Sequence, residues 1–307
     1  MIMRHFSTAL VLCLLVSLPV SIVFSQPLEP ADQAMVKKAN NHTAYLSWAA
    51  VTFDLSAGYR TDKLNWNIAG NLQGSNPNVR SELTWSDLSI YQLKLANRTV
   101  IKDRVYIRGY LDYGTVASGS NQDSDYNGDN RTQEFSRSVN GVDGNDVWDG
   151  SVGVGPRFAF FESTVVVCPM LGYAISEQDL NIVDGYQAFT APPMTAPIGP
   201  ITGLDSRFQT RWKGPWLGVD LFFSIPDTEA PFSKVGVIFT GEYHWVDYDA
   251  EANWNLRSDY AHPVSFSHDA EGSGYMAGAA ILFEMRNRWG IHAGMDVKEM
   301  TTDAGLD

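Results

Sequence analysis

The feature that most constrains this chain is a strict alternation of apolar and polar residues in several segments of about ten residues. In 51–60 every odd-numbered residue is apolar and every even-numbered residue is polar or glycine, and 105–113 and 289–298 repeat the pattern. Because successive side chains of a β-strand point to opposite faces, each segment predicts a strand with one apolar and one polar face. Charged residues opposite a continuously apolar face are typical of a barrel with hydrocarbon outside and a polar lumen inside.

Nine such segments occur, and the gaps between them alternate between short and long. The predicted strands are 51–60, 82–95, 105–117, 147–160, 164–175, 211–224, 234–248, 274–285 and 288–298. The long gaps, rich in Gly, Asn, Asp and Pro, are 61–81, 118–146, 176–210 and 249–273. The pattern therefore predicts an all-β, antiparallel transmembrane barrel with short periplasmic turns and long loops outside the cell. Since bacterial single-chain barrels have an even number of strands, we expect about ten. Either the last strand is missing through truncation, which we favour, or a further strand lies in 41–48 or 64–68.

Aromatic residues near the ends of the predicted strands are expected to form the girdles at the two membrane interfaces. They are Tyr59, Trp85, Trp148, Trp212, Trp216, Trp245 and Trp289.

The first 25 residues have the order expected of a secretory signal peptide. Arg4 is followed by the apolar run 9–16, and small or β-branched residues precede Gln26. Pro19 breaks the run, which is shorter than the roughly 20 apolar residues of a membrane-spanning helix. We therefore expect a signal peptide at 1–25, a short periplasmic segment at 26–50 and a barrel at 51–307, located in the outer membrane of a Gram-negative bacterium.

Charge and cysteine content restrict the possible partners and covalent bonds. The net charge of −13 argues against a polyanionic partner such as nucleic acid. After removal of the signal peptide one cysteine, Cys168, would remain. Internal disulfides and metal sites built from several cysteines are therefore not expected.

Several short segments, taken in order, resemble the omptins, a family of ten-stranded outer-membrane proteases. These are 81–85, 108–110, 115–126, 170–173, 207–208, 216–218 and 245–247. The segment 81–85, Ser-Glu-Leu-Thr-Trp, is also similar to the Protochlamydia-type outer-membrane proteins, a porin-like group. The resemblance runs from about residue 53 to 298, and the ordered series is more specific than any one segment.

The omptin resemblance implies a surface endopeptidase in which an Asp-x-Asp pair and an Asp-x-His pair activate water between opposite walls of an extracellular cleft. The imidazole would act as general base and a carboxylate would orient it. Asp123 and Asp125 match the first pair. The resemblance also implies peptide or protein substrates and contact with outer-membrane lipid, including lipopolysaccharide.

The second omptin pair is missing from its expected place. Ala252 and Trp254 occupy the matching positions, and neither side chain transfers protons. Glu242 and His244 are candidate substitutes, since their spacing puts both on one face of a strand. Two functions therefore stay open: an aspartic-type endopeptidase with an incomplete catalytic set, or a non-catalytic barrel, either porin-like or a surface-binding scaffold. A barrel of about ten strands should be filled by side chains, which makes a channel the weaker alternative.

The same acidic segment also fits a different chemistry, calcium binding. Oxygen-bearing residues occur at the spacing of a calcium loop, with glycine at the sixth position. The candidate ligands are Asp123, Asp125, Asn127, Asp129 and Glu134. A solvated surface loop is the other interpretation of this segment.

Overall fold

A computed structural model describes residues 9–13, 49–142, 144–226, 232–285 and 289–305, and their regular elements are β-strands. The strands are β1 (Ala9–Cys13), β2 (Ala49–Ile68), β3 (Ser81–Ile101), β4 (Val105–Gly128), β5 (Thr132–Gly141), β6 (Asp146–Pro156), β7 (Phe158–Phe160), β8 (Val165–Thr190), β9 (Gly199–Pro200), β10 (Asp205–Pro226), β11 (Phe232–Asn253), β12 (Phe266–Met285) and β13 (Gly290–Thr302). The all-β prediction is confirmed. The described residues include no helix long and apolar enough to cross a membrane.

The strands pair antiparallel, and the pairings form a circuit. From β8 the order runs through β10, β11, β12, β13, β1, β2, β3 and β4. The tenth position is shared by β5 and β6, which pair with different parts of β4 and both return to β8. The circuit has ten positions if β1 is counted and nine without it, which agrees with the expectation of about ten.

The strand β1 comes from the apolar run of the predicted signal peptide. Its five residues pair with β13, and Leu12 pairs with Thr61 of β2. Removal of 1–25 stays a prediction, and the predicted periplasmic segment lies outside the described residues as far as residue 48.

The strands continue well beyond the predicted limits, so the loops are shorter than the sequence suggested. β8 has 26 residues, and β5 lies wholly inside the predicted loop 118–146. The segment 64–68, which could have been a separate strand, is the end of β2. At the opposite end, residues 102–104 form a tight turn in which Lys102 and Asp103 have positive φ.

Apolar side chains cover the outer face of the half of the strands next to the short turns. More than a third of each of these side chains is exposed: Phe53, Leu55, Tyr59, Tyr91, Leu93, Leu95, Leu111, Tyr113, Val152, Val154, Leu171, Tyr173, Leu217, Phe223, Phe239, Tyr243, Ile281 and Met295. An outward-facing apolar band of this kind is what a barrel presents to lipid tails.

The alternation reverses in the half of the strands next to the long loops. On β11, Tyr243 and Trp245 face outward, whereas further along the strand Tyr248 and Ala252 are buried in the lumen and Asp247 is exposed. The apolar residues therefore change from the outer face to the inner face at the level of the outward-facing tyrosines and tryptophans.

A cluster of rings fills the lumen above this level. We call it the aromatic plug and define it as Trp66, Trp85, Phe208, Trp212, Tyr248 and His268, none of which is more than 4% exposed. Trp85 stacks on Phe208 with centroids 4.9 Å apart, and Trp212 lies 4.4 Å from Tyr248. The expectation that Trp85, Trp212 and Trp216 belong to the outer girdles is wrong, because all three are buried in the lumen.

Ion pairs fill the lumen between the plug and the short turns. Arg60 contacts Asp62 at 2.6 Å, Arg98 contacts Asp54 at 2.8 Å, and Arg108 contacts Asp220 at 3.0 Å. Buried charges of both signs compensate one another here, as low-dielectric surroundings require.

Candidate functional site at the long-loop end

The two aspartates of the predicted catalytic pair lie on β4 and face the lumen. Asp125 is opposite Ser81 on β3, and Asp123 is opposite Leu83, which is buried in the core of the barrel. Directly opposite residues of an antiparallel pair share a face. Both carboxylates therefore point inward at the loop side of the aromatic plug.

Burial controls the protonation of this pair. It raises the pKa of Asp123 to about 7, and the negative charge of Asp125 acts in the same direction. Burial also raises the pKa of Asp125, while the Ser81 hydroxyl and the positive charge of Arg80 oppose the rise. The raised pKa of Asp123 lies in the range in which a general acid or base works near neutral pH.

A positive charge approaches the pair from the loop between β11 and β12. The positive charge of the Arg257 guanidinium opposes the rise in the pKa of both aspartates. This guanidinium is bound to Asp259, with Nε–Oδ1 and Nη2–Oδ2 distances of 2.9 and 2.7 Å. It also lies 4.4 Å above the ring of Tyr260. An isolated arginine in a predicted loop carries no sequence signal for this role.

The positions that match the missing omptin pair are packed with apolar groups. Ala252 is buried between Phe208 on β10 and Phe266 on β12, its partners across the sheet. The indole of Trp254 packs on the ring of Phe266. The wall that should carry an Asp-x-His pair therefore presents no proton-transfer group at these two positions.

Glu242 and His244, the candidate substitutes, contact each other as their spacing predicts. His244 Nε2 and Glu242 Oε2 are 2.7 Å apart, and both side chains are buried. Glu242 also forms an ion pair with Arg108, which is held by Asp220 and stacks on Trp216. The histidine is thus part of the buried ion-pair network.

The aromatic plug separates this network from the aspartate pair. Val246, Tyr248, Ala250 and Ala252 follow His244 along the inner face of β11, and all four are buried. At about 3.3 Å per residue, Ala252 lies roughly 26 Å further along the strand. The structure therefore does not bring Glu242 and His244 to Asp123 and Asp125.

The candidate calcium ligands lie on a β-hairpin. Asn127 accepts a hydrogen bond from Arg80, Asp129 accepts one from the Asn78 amide at 2.8 Å, and Glu134 binds Arg137. Among the described residues, no three or more His, Cys, Asp or Glu side chains are placed to hold a metal ion. Because strand structure continues up to Gly128, Asp123, Asp125 and Asn127 lie on an extended strand, whereas a calcium loop is curved around its ion.

Comparisons with known proteins agree with this architecture. The family model for the Protochlamydia outer membrane protein matches residues 54–304. No curated protein matches the chain. Among solved structures, the outer membrane protease OmpT from Escherichia coli is similar, with a TM-score of 0.59 and 13% sequence identity over 83% of this chain and 96% of that one. At this identity the likeness shows the fold, which is omptin-like, as the short segments suggested.

Proposed function

The chain belongs to the Protochlamydia outer membrane protein family, and we propose that it is a closed, non-proteolytic outer-membrane barrel that serves as a surface-binding scaffold at its long-loop end. Its signal peptide would be residues 1–25, and the long-loop end would face the exterior. Outer-membrane lipid, including lipopolysaccharide, would surround the apolar band.

The aromatic plug is the observation that carries this proposal. Trp85 and Phe208 are fully buried at the centre of the lumen, where an open channel would need water-lined walls. Interlocking rings leave no room for a solute at this level. A barrel closed in this way can act through its loops, and long loops on a rigid barrel are suited to binding.

The packing of Ala252 and Trp254 argues against proteolysis. An omptin-type reaction needs a base and its orienting carboxylate across the cleft from the first aspartate pair. Here Ala252 and Trp254 supply neither group, and the Glu242 and His244 pair lies on the other side of the plug. This favours binding without cleavage at the loop end.

Endopeptidase activity is the second candidate, and one observation favours it. The raised pKa of Asp123 suits proton transfer near neutral pH. In that case Asp123 and Asp125 alone would have to position and activate the water.

A peptidase assay separates the two candidates. The refolded protein, supplied with lipopolysaccharide, is incubated with fluorogenic basic peptides beside an Asp123→Asn variant and a control, Asp129→Asn, altered at the exposed tip of the same hairpin. The scaffold proposal expects no cleavage by any of the three. Cleavage by the parent and the control that is lost in Asp123→Asn would overturn it.

A further inference from the structure

A chamber opens into the lumen at the short-turn end, on the other side of the plug from the aspartate pair. It has a volume of about 320 Å³ and adjoins a second cavity of about 200 Å³, with Asp54, Arg98 and Tyr106 lining both. A volume of a few hundred cubic ångströms is the usual size of a site for a small organic molecule.

The walls of the larger chamber are mainly apolar. Val100, Val166, Cys168, Phe222 and Leu282 line it, together with the hydroxyls of two serines. An apolar body can therefore be accommodated, and polar contacts are limited to particular points of the wall.

Two cations line this chamber without a close carboxylate. The side chain of Arg157 is only 17% exposed, yet its nearest carboxylate among the described residues is Asp103, at 4.0 Å and itself 92% exposed. Lys234 is an exposed cation that faces Glu284 across the sheet, and within the described part of the chain no carboxylate oxygen lies within 4.0 Å of its Nζ. Burying the Arg157 guanidinium without a closer carboxylate is costly, and a bound anion would remove that cost.

The charge of the two cavities contrasts with that of the whole protein. Six Lys or Arg side chains line them against four Asp or Glu side chains, in a chain whose net charge is −13. Arg98 and Arg108 are neutralised by buried aspartates, Lys298 pairs with Asp149 at 3.5 Å, and Lys94 lies over the ring of Tyr110. Arg157 and Lys234 are therefore the cations open to a ligand.

We propose that this chamber binds a small carboxylate with an apolar body. The carboxylate would take two parallel hydrogen bonds from the guanidinium of Arg157, whose planar fork matches it, and Lys234 would add a second positive charge. The body would lie against Val166 and Phe222. This site goes beyond the proposed scaffold function, because it lies at the opposite end of the lumen.

Calorimetric titration of the refolded barrel in lipid nanodiscs tests the site, with 2-naphthoate as the probe and empty nanodiscs as the blank. Neutral 2-naphthamide serves as a probe of the same shape without the charge. The variants are Arg157→Gln, Lys234→Gln and a matched control, Arg104→Gln, which changes an exposed cation at the same end of the barrel outside the chamber.

The proposal expects saturable binding of one naphthoate per barrel. Binding should weaken about tenfold or more in Arg157→Gln, weaken less in Lys234→Gln and stay unchanged in Arg104→Gln, with naphthamide binding far more weakly. The absence of saturable binding to the parent protein, or naphthamide binding as tightly as naphthoate, would overturn it. Equal affinities of the Lys234→Gln and Arg104→Gln variants for naphthoate would also overturn the proposal, and this comparison remains possible if Arg157→Gln fails to fold.

Discussion

The indole of Trp254 lies edge-on against the ring of Phe266, with the two ring centroids 5.1 Å apart. This contact stands where the omptin resemblance requires a histidine, and the buried Ala252 stands where it requires the carboxylate. By that resemblance the chain would keep the first aspartate pair, and packed side chains occupy the positions of the second. The same rings continue into the aromatic plug, since Phe266 also lies 5.1 Å from His268.

Gly153 and Gly172 leave space for the indole of Trp216, so a larger residue at either position should lower the stability of the barrel. A Cβ on Gly172 would lie 2.3 Å from the Trp216 indole and 2.4 Å from the carbonyl oxygen of Val152. Gly172→Ala should therefore lower the free energy of unfolding by about 3 kcal/mol, the upper part of the range for overpacking. Gly241→Ala, whose new Cβ would meet nothing within 4 Å, is the matched control and should be nearly neutral. Urea titration of the refolded barrels measures both, and equal midpoints would contradict the packing argument.

The aromatic plug predicts that a tryptophan of the lumen contributes more to the free energy of unfolding than a tryptophan of the lipid face. Trp85 is fully buried and stacked on Phe208, whereas Trp245 is 49% exposed on the outer face. Trp85→Ala should cost about 3 to 5 kcal/mol, because it leaves a cavity among packed rings. Trp245→Ala should cost clearly less, since lipid fills the space. Similar losses for the two variants in a denaturant titration would show that Trp85 is not in the core.

Arg108 holds two buried carboxylates, so its removal should leave uncompensated charge. Arg108→Met is expected to lower the free energy of unfolding by about 3 to 5 kcal/mol, because Asp220 and Glu242 lose their shared cation. Arg211→Met, which breaks an exposed pair with Glu177, should cost no more than about 1 kcal/mol. The heat-modifiable shift in gel mobility and the urea midpoint together report the loss. An Arg108 variant as stable as the Arg211 variant would refute the role assigned to Arg108.

The raised pKa of Asp123 predicts a dependence of stability on pH. The folded state holds this proton up to about pH 7, whereas the unfolded chain releases it near pH 4. The contribution to stability is therefore fully present below pH 4 and is lost as the pH rises towards 7. Asp123→Asn should be more stable than the parent at pH 8, with the difference shrinking towards pH 4. Denaturant midpoints at both pH values, with Asp87→Asn as an exposed control, check this; a constant difference would contradict it.

The sequence predicts the half of the barrel that faces lipid and mistakes the other half for loops. In 51–60 the residues that face hydrocarbon must be apolar, and the resulting alternation makes the strand recognisable in the sequence. Above the membrane level the outer face carries charged pairs such as Asp179 with Arg207, and the apolar residues Leu180 and Ile182 point inward. Apolar and polar residues still alternate there, but the apolar ones now face the lumen. Because Gly, Asn and Asp are interspersed among them, the sequence of this part resembles a polar loop.

Prediction of the candidate site from the sequence is limited in a similar way. The i, i+2 spacing of Asp123 and Asp125 on one strand is sufficient to predict that both face the same way. The spacing of Glu242 and His244 also predicts their contact. It does not predict at which level of the lumen this pair lies relative to residues on another strand. That level depends on how the strands are staggered around the barrel, and the stagger is a property of the whole pairing circuit. Arg257, which reaches the aspartates from a loop, is unpredictable for the same reason.

Single-channel recording tests most directly the central claim that the plug closes the lumen. The refolded protein is inserted into planar lipid bilayers, insertion is verified by protease protection, and an open porin serves as the positive control. The fully buried stack of Trp85 and Phe208 predicts no discrete conductance steps from the parent protein. Stable, reproducible steps from correctly folded parent protein would contradict the account.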